Sequence, residues 1–169
     1  MTDVHSKETR SYNMSQIRDK NTKPELLVRK YLFSNGFRYR VNVKDLPGKP
    51  DIVLPKYRTV IFIHGCFWHG HEGCKYFVIP KTRTEWWTEK IQKNTERDQK
   101  VHTKLKALGW NIMTIWECQL KPQVRQQTLE GIELLLQKTY LNLHKTYYLP
   151  GKTTFDQVAE PGESYHSQE

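Results

Sequence analysis

Four residues in this chain are spaced as metal ligands: Cys66-x4-His71-x2-Cys74, with Cys118 arriving much later. Three thiolates and one imidazole are a common tetrahedral zinc set, and the short first spacing lets one loop wrap the ion. Cysteines also serve as small buried hydrophobes, which would leave His71 a surface residue. Cys66 and Cys74, however, lie among Gly, His and Lys, a poor setting for inert thiols. Four protein donors close the coordination sphere, so the expected zinc is structural, pinning a loop with little core of its own to the chain near Cys118.

A second group suits oxygen and proton chemistry. Asp51 opens one apolar run, His64 ends the next, and His69 follows five residues on. A carboxylate at a strand end can hold Mg²⁺, which needs hard oxygen ligands and keeps several waters. Taken singly, Asp51 reads equally as a turn residue after Pro50, and His64 as a satisfied strand-end histidine. A further acid comes from a long helical stripe: Trp87, Ile91, Asn94, Asp98, Val101, Leu105 and Leu108 recur every three or four residues. Asn94 and Asp98 break its apolar character, and a core-facing carboxylate is costly unless paired or metal-linked. Arg97 and Lys100 are possible partners for Asp98 but do not share its face, which favours a functional carboxylate. Aromatic residues crowd the same region. Trp87 fits the stripe as packing, whereas Phe67, Trp68 and Trp86 fit it less well. Flat rings beside basic groups can wedge between base pairs, although composition alone favours a small satellite core around the zinc loop.

The elements that must hold these groups are legible in the patterning. Thr22 and Glu25 have capping-box spacing ahead of a helical run that Gly36 ends. Phe37 to Val43 alternates apolar and basic residues, as a half-exposed strand does. Leu46 to Pro50 is a turn cluster, followed by a short strand over Asp51 to Leu54. Thr59 to His64 is apolar on both faces and is expected to be the central strand. A long helix is expected from Thr84 to Leu108, ended by Gly109. A buried strand over Trp110 to Trp116 and a closing helix over Gln123 to Tyr140 complete the set. The order implies an α/β domain with a mixed sheet flanked by helices. Residues 1–21 read as a partner-binding arm, 22–145 as one folded domain with the metal loop at 65–80, and 146–169 as a polar tail expected to be disordered.

Composition limits the partners. The chain has 169 residues and a formal charge of +9, from 27 Lys and Arg against 18 Asp and Glu. That excess points first to nucleic acid, and with no long apolar run a membrane span is not expected. Residues 1–10 are polar, unlike a signal peptide, so a cytoplasmic location is expected. There, three cysteines serve better as ligands than as disulfides.

The same residues resemble the very-short-patch (Vsr-type) repair endonucleases. The matching segments are Arg10-Ser11-x-Asn13-Met14-x-x-Ile17, Pro24-Glu25, Gly36-x-Arg38-Tyr39-Arg40, Leu46-Pro47-Gly48-x-Pro50-Asp51 and His64-Gly65-Cys66-Phe67-Trp68-His69. They continue through His71-x-x-Cys74, Pro80-Lys81-Thr82-Arg83, Asn94-x-x-Arg97-Asp98, Leu108-Gly109-Trp110 and Trp116-Glu117-Cys118. The resemblance implies a restriction-endonuclease-like fold acting on double-stranded DNA. It implies a strand-specific nick beside the thymine of a T·G mismatch left by deamination of 5-methylcytosine. It also implies zinc on Cys66, His71, Cys74 and Cys118, and Mg²⁺ on Asp51 and the main-chain carbonyl of Ile63. His69 would be the general base, and Glu25, His64 and Asp98 would hold metal-bound waters and the phosphate. Phe67, Trp68 and Trp86 would form a major-groove wedge, with Met14 and Ile17 on the minor-groove side. A monomer is expected, with downstream repair proteins as possible partners. Some relatives carry Thr where Ile63 stands; a carbonyl ligand survives that change, but a hydroxyl contact does not. Two rivals remain on the sequence alone: a restriction-system nickase acting on matched duplex, and a zinc-bearing DNA-binding module without chemistry.

Overall fold

In the computed structural model, residues 6–16, 20–41 and 43–145 are described. Ile17, the side chain of Met14 and the tail over 146–169 lie outside the described residues. Helix α1 (Lys7–Ser15) falls within the expected arm. Ser6 starts it by accepting from the backbone N–H of Thr9 at 3.2 Å, a local cap that does not depend on core packing.

Helix α2 (Lys23–Ser34) begins with the expected capping box. Thr22 accepts from the Glu25 backbone, and Glu25 reaches back to the Thr22 backbone. Gly36 leaves the helix at φ +82°. Strand β1 (Ile52–Leu54) pairs antiparallel with β2 (Thr59–His64), and β2 pairs parallel with β3 (Asn111–Trp116). The mixed sheet has the order β1-β2-β3, so the apolar β2 is central as expected. Helix α3 (Thr84–Ala107) and helix α4 (Arg125–His144) complete the domain. Among the described residues, no helix is long and apolar enough to cross a membrane.

Two expected strands come out differently. Among its described residues, the run Phe37 to Val43 contributes a single bridge, Arg40 with Val53. Continuing that register would pair Arg38 with Pro55, which has no N–H to donate, so the ladder stops there. The run near Trp110 is a strand, but at the sheet edge; of its residues only Ile115 is fully buried. Likewise Leu108, placed on the stripe, is half exposed because α3 ends before it.

Strand alternation sorts the core into two layers. Ile52, Leu54, Ile61 and Ile115 face α2 and α4, meeting Val28, Leu32, Leu129, Ile132 and Leu136. Val53, Val60 and Phe62 face the other way, onto Leu105 and Val101 of α3. By the same two-residue period, Asp51 falls on the side of Val53 and His64 on the side of Phe62. Both chemical residues are therefore delivered to the α3 face. The turn before Asp51 is held close to that helix. Gly48, at φ +72°, sits where a Cβ would come within 2.4 Å of Val101 Cγ1. Any side chain there would push the turn off α3.

Candidate active site

Asp51 precedes β1 and turns its carboxylate back onto β2, where Oδ2 accepts the Ile63 N–H at 2.7 Å. The ladder explains this contact. The β1–β2 register, extended by one hydrogen-bonded pair, sets Pro50 opposite Ile63. Proline cannot donate, so the Ile63 carbonyl loses its ladder partner on the side where its N–H meets Asp51. A carboxylate and a backbone carbonyl are thus presented on the same edge. Burial, followed by the nearby Glu25 charge, pushes the Asp51 carboxyl up to about 6 despite the Ile63 hydrogen bond and the opposing influence of Arg29 and His69.

The loop after β2 carries His69 back over the sheet. Its Nδ1 lies 2.5 Å from Asp98 Oδ2 of α3, and both side chains are about one-fifth exposed, at 21% and 18%. Burial alone would raise the Asp98 carboxyl. The hydrogen bond and charge of His69, with His64 and Arg97, outweigh it and leave Asp98 lowered. Arg97, set aside from sequence as off the face, does reach the outer oxygen of Asp98 at 3.5 Å. Asn94, the other polar residue of the stripe, donates to the Trp68 carbonyl at 3.0 Å and so pins the loop to α3.

His64 stacks on His69 with ring centroids 3.7 Å apart and planes 10° from parallel. Burial, then the His69 charge, pushes His64 down to about 3, so it stays neutral at neutral pH. His64, His69 and Asp98 lie close enough to suggest a metal set. The stack argues otherwise. An imidazole binds an ion in its ring plane, and two nearly parallel planes 3.7 Å apart cannot share one. We therefore treat this group as a hydrogen-bonded acid and two packed imidazoles.

The four zinc-type donors meet as their spacing suggested. The nearest donor atoms of Cys66, His71, Cys74 and Cys118 all lie within 4.8 Å of one another, and Cys118 Sγ is 3.5 Å from His71 Nδ1. Bonds of about 2.3 Å to sulfur and 2.0–2.1 Å to nitrogen put neighbouring donors of a tetrahedral ion roughly 3.5–3.8 Å apart, so the cluster fits one. Burial pushes the Cys66 thiol up to about 12 and raises Cys118, a cost that a cation binding the thiolates would remove. Trp116 ties this centre to the site, stacking on His71 at 4.1 Å and meeting His64 edge-on at 5.5 Å.

Glu25 sits behind Asp51, buried, and paired with Arg29 at 2.9 Å. Phe67, Trp68 and Trp86 gather around Trp87 with centroids 4.7–6.0 Å from it. Lys90 covers the indoles of Trp68, Trp86 and Trp87 at 4.8–5.8 Å. The rings thus do form a satellite cluster, with Trp86 41% exposed at its rim. His64, His69 and Asp98 come together on the α3 side, Asp51 lies near enough for the His69 charge to bear on it, and Glu25 stands behind through Arg29. Arg29 and Trp116 are the participants that spacing did not reveal.

Comparison with known proteins decides the family. Residues 2–75 match the family model described as DNA mismatch endonuclease Vsr. The DNA mismatch endonuclease Vsr of Escherichia coli is 49% identical over 121 residues, covering 72% of this chain and 77% of that protein. The type II nicking enzyme V.NmeAIP of Neisseria meningitidis is 56% identical over 121 residues, covering 72% and 86%. The type II nicking enzyme V.XorIIP of Xanthomonas oryzae is 52% identical over 120 residues, covering 71% and 88%. This chain belongs to the Vsr family. It is a DNA endonuclease, and the reading of a DNA-binding module without chemistry is set aside.

Proposed function

We propose that this chain is a Mg²⁺-dependent strand-specific endonuclease that nicks duplex DNA 5′ of the thymine in a T·G mismatch arising from 5-methylcytosine deamination. The proposal includes a restriction-endonuclease-like core and a structural zinc on Cys66, His71, Cys74 and Cys118. The observations that carry it are the Asp51 carboxylate bonded to the Ile63 N–H at the end of the sheet and the hydrogen-bonded His69–Asp98 pair, whose imidazole is near enough for its charge to bear on Asp51.

Asp51 and the Ile63 carbonyl are the groups that would hold Mg²⁺. Both are hard oxygen donors, and a buried carboxylate raised to about 6 gains from a nearby dication. Bound there, Mg²⁺ supplies Lewis-acid stabilisation of charge on the scissile phosphate. The protein's own part is proton transfer. Asp98 is lowered and therefore ionised at neutral pH, so it accepts from His69 Nδ1–H and fixes that tautomer. The lone pair is then on Nε2, free to take a proton from water. That step requires the imidazole in its neutral form. His69→Ala is expected to lower single-turnover nicking by about 10²–10⁴-fold with duplex affinity kept. Asp98→Asn is expected to cost less, since the ring remains. An unchanged rate in the His69 variant dismisses the base assignment.

The cluster of Phe67, Trp68 and Trp86, with Lys90 and Arg83 against its rings, suits unstacking a base step at a mismatch. A second reading draws on the relatives named type II nicking enzymes: the same chemistry on a matched site. Duplexes identical except for T·G or C·G at one position separate the two. The mismatch reading expects a Mg²⁺-dependent nick on the thymine strand of the T·G duplex alone. Equal nicking of both duplexes favours the restriction-system reading.

A further inference from the structure

Arg29 is buried on the inner face of α2, and it touches the site at a point that a helix-capping ion pair does not require. Its Nη2 is shared between Glu25 Oε2 at 2.9 Å and the main-chain oxygen of Asp51 at 3.2 Å, while Nη1 donates to Asn21 Oδ1 at 2.7 Å. Its Nε is buried and has no hydrogen-bond partner among the described residues. Leaving such a donor unbonded costs about 1–3 kcal/mol, and buried ion pairs are often replaced by apolar residues without loss of stability. Stability therefore explains this guanidinium poorly. Its effect on Asp51 explains it better. The β1 ladder begins only at Ile52, so the backbone of Asp51 lies outside it. Among the described residues its anchors are the bond from the Ile63 N–H to the carboxylate and that from Arg29 to the carbonyl. Arg29 also covers Glu25, whose charge would otherwise bear on Asp51 uncompensated.

We propose that Arg29 is a positioning residue: its forked guanidinium sets the main chain of Asp51 and shields it from Glu25, so that the Asp51 carboxylate is held ready for the cation. This rests on the reading of Asp51 as a Mg²⁺ ligand. Groups that orient a metal ligand typically contribute 10–100-fold to metal affinity or activity.

The test is single-turnover nicking of a T·G duplex by the full-length enzyme as free Mg²⁺ is varied, for wild type, Arg29→Met and Arg29→Lys. Arg29→Met is expected to raise the half-saturating Mg²⁺ by about 10–100-fold. Its rate at saturating Mg²⁺ should change much less, and duplex affinity should be unchanged. Arg29→Lys keeps the charge but not the fork, so a smaller rise of several-fold is expected. A merely structural role lowers the melting temperature and the active fraction equally at every Mg²⁺ concentration. A half-saturation equal to wild type in the lysine variant, or in a folded methionine variant, overturns the proposal. Should the methionine variant fail to fold, the lysine variant carries the decision. Wild-type nicking that ignores Mg²⁺ overturns the underlying reading of Asp51 and this inference with it, whereas a Mg²⁺-dependent wild type with unshifted variants overturns only the role of Arg29.

Discussion

Replacing Asp51 with Asn is expected to leave a protein that is more stable in chelator yet no longer nicks DNA. The activity loss follows from the cation. Several kcal/mol of charge stabilisation at the phosphate, at 1.36 kcal/mol per tenfold, amounts to roughly a thousandfold or more. The gain in stability follows from burial. The Asp51 carboxyl is raised from 3.8 to about 6, so the folded state holds its proton over a range where the unfolded state has lost it. Its contribution is fully present below about pH 3.8 and is lost as the pH rises through about 6. At pH 7 without a cation, the ionised group costs on the order of 3 kcal/mol. Asparagine removes that charge and still offers an oxygen to the Ile63 N–H. Urea unfolding in chelator at pH 7 should therefore show the variant above wild type, with the two curves converging toward pH 4. Added Mg²⁺ should narrow the gap by stabilising wild type alone. A variant that is less stable at pH 7, or that nicks within tenfold of wild type, contradicts this account of Asp51.

Loss of the proposed zinc is the second large effect expected. Residues 65–80 contain no helix or strand, and apart from Cys66 none of them is fully buried. Structural zinc in small peptides contributes about 10–16 kcal/mol of binding free energy, much of it spent on folding. Here the sheet has its own core, built from residues outside the loop. Cys74→Ser or Cys118→Ser should therefore melt the loop more than the domain. The amides of 65–80 should lose protection from hydrogen exchange while those of β2 keep it. His69 travels with the loop and loses Asp98, so nicking should fall at least about a hundredfold. Metal analysis should find less than one zinc per chain in these variants. A zinc-free variant that nicks normally removes the structural ion from the account.

Local rules made much of the frame readable. The spacing of Thr22 and Glu25 placed the start of α2, and the apolar run of Thr59 to His64 placed the central strand. The Cys and His spacing placed the metal-type cluster, because a short loop leaves few ways to arrange Cys66, His71 and Cys74, and Cys118 joins them from just past β3. What failed depended on neighbours. The alternation of Phe37 to Val43 is genuine, but its partner strand is three residues long and stops at Leu54, before Pro55, so the pattern had almost nothing to pair with. The strand ending at Trp116 reads as buried from its apolar content, yet the sheet ends there. At the site, Asp98 stood out as a carboxylate on an apolar stripe, but no periodicity links it to His69, which is 29 residues away. Arg29 was hidden for a different reason: on α2 it looks like an ordinary i,i+4 partner of Glu25, and only the folded chain brings the Asp51 carbonyl beneath it.

On the function proposed, Asp51 and the carbonyl beside it hold a single divalent ion. Electron paramagnetic resonance of Mn²⁺, used in place of Mg²⁺ with an uncleaved T·G duplex bound, counts that ion directly. The expected result is one tightly bound Mn²⁺ per chain in wild type, retained in His69→Ala and lost in Asp51→Asn, with zinc content equal in all three. The same bound Mn²⁺ in Asp51→Asn as in wild type would show that the ion lies elsewhere.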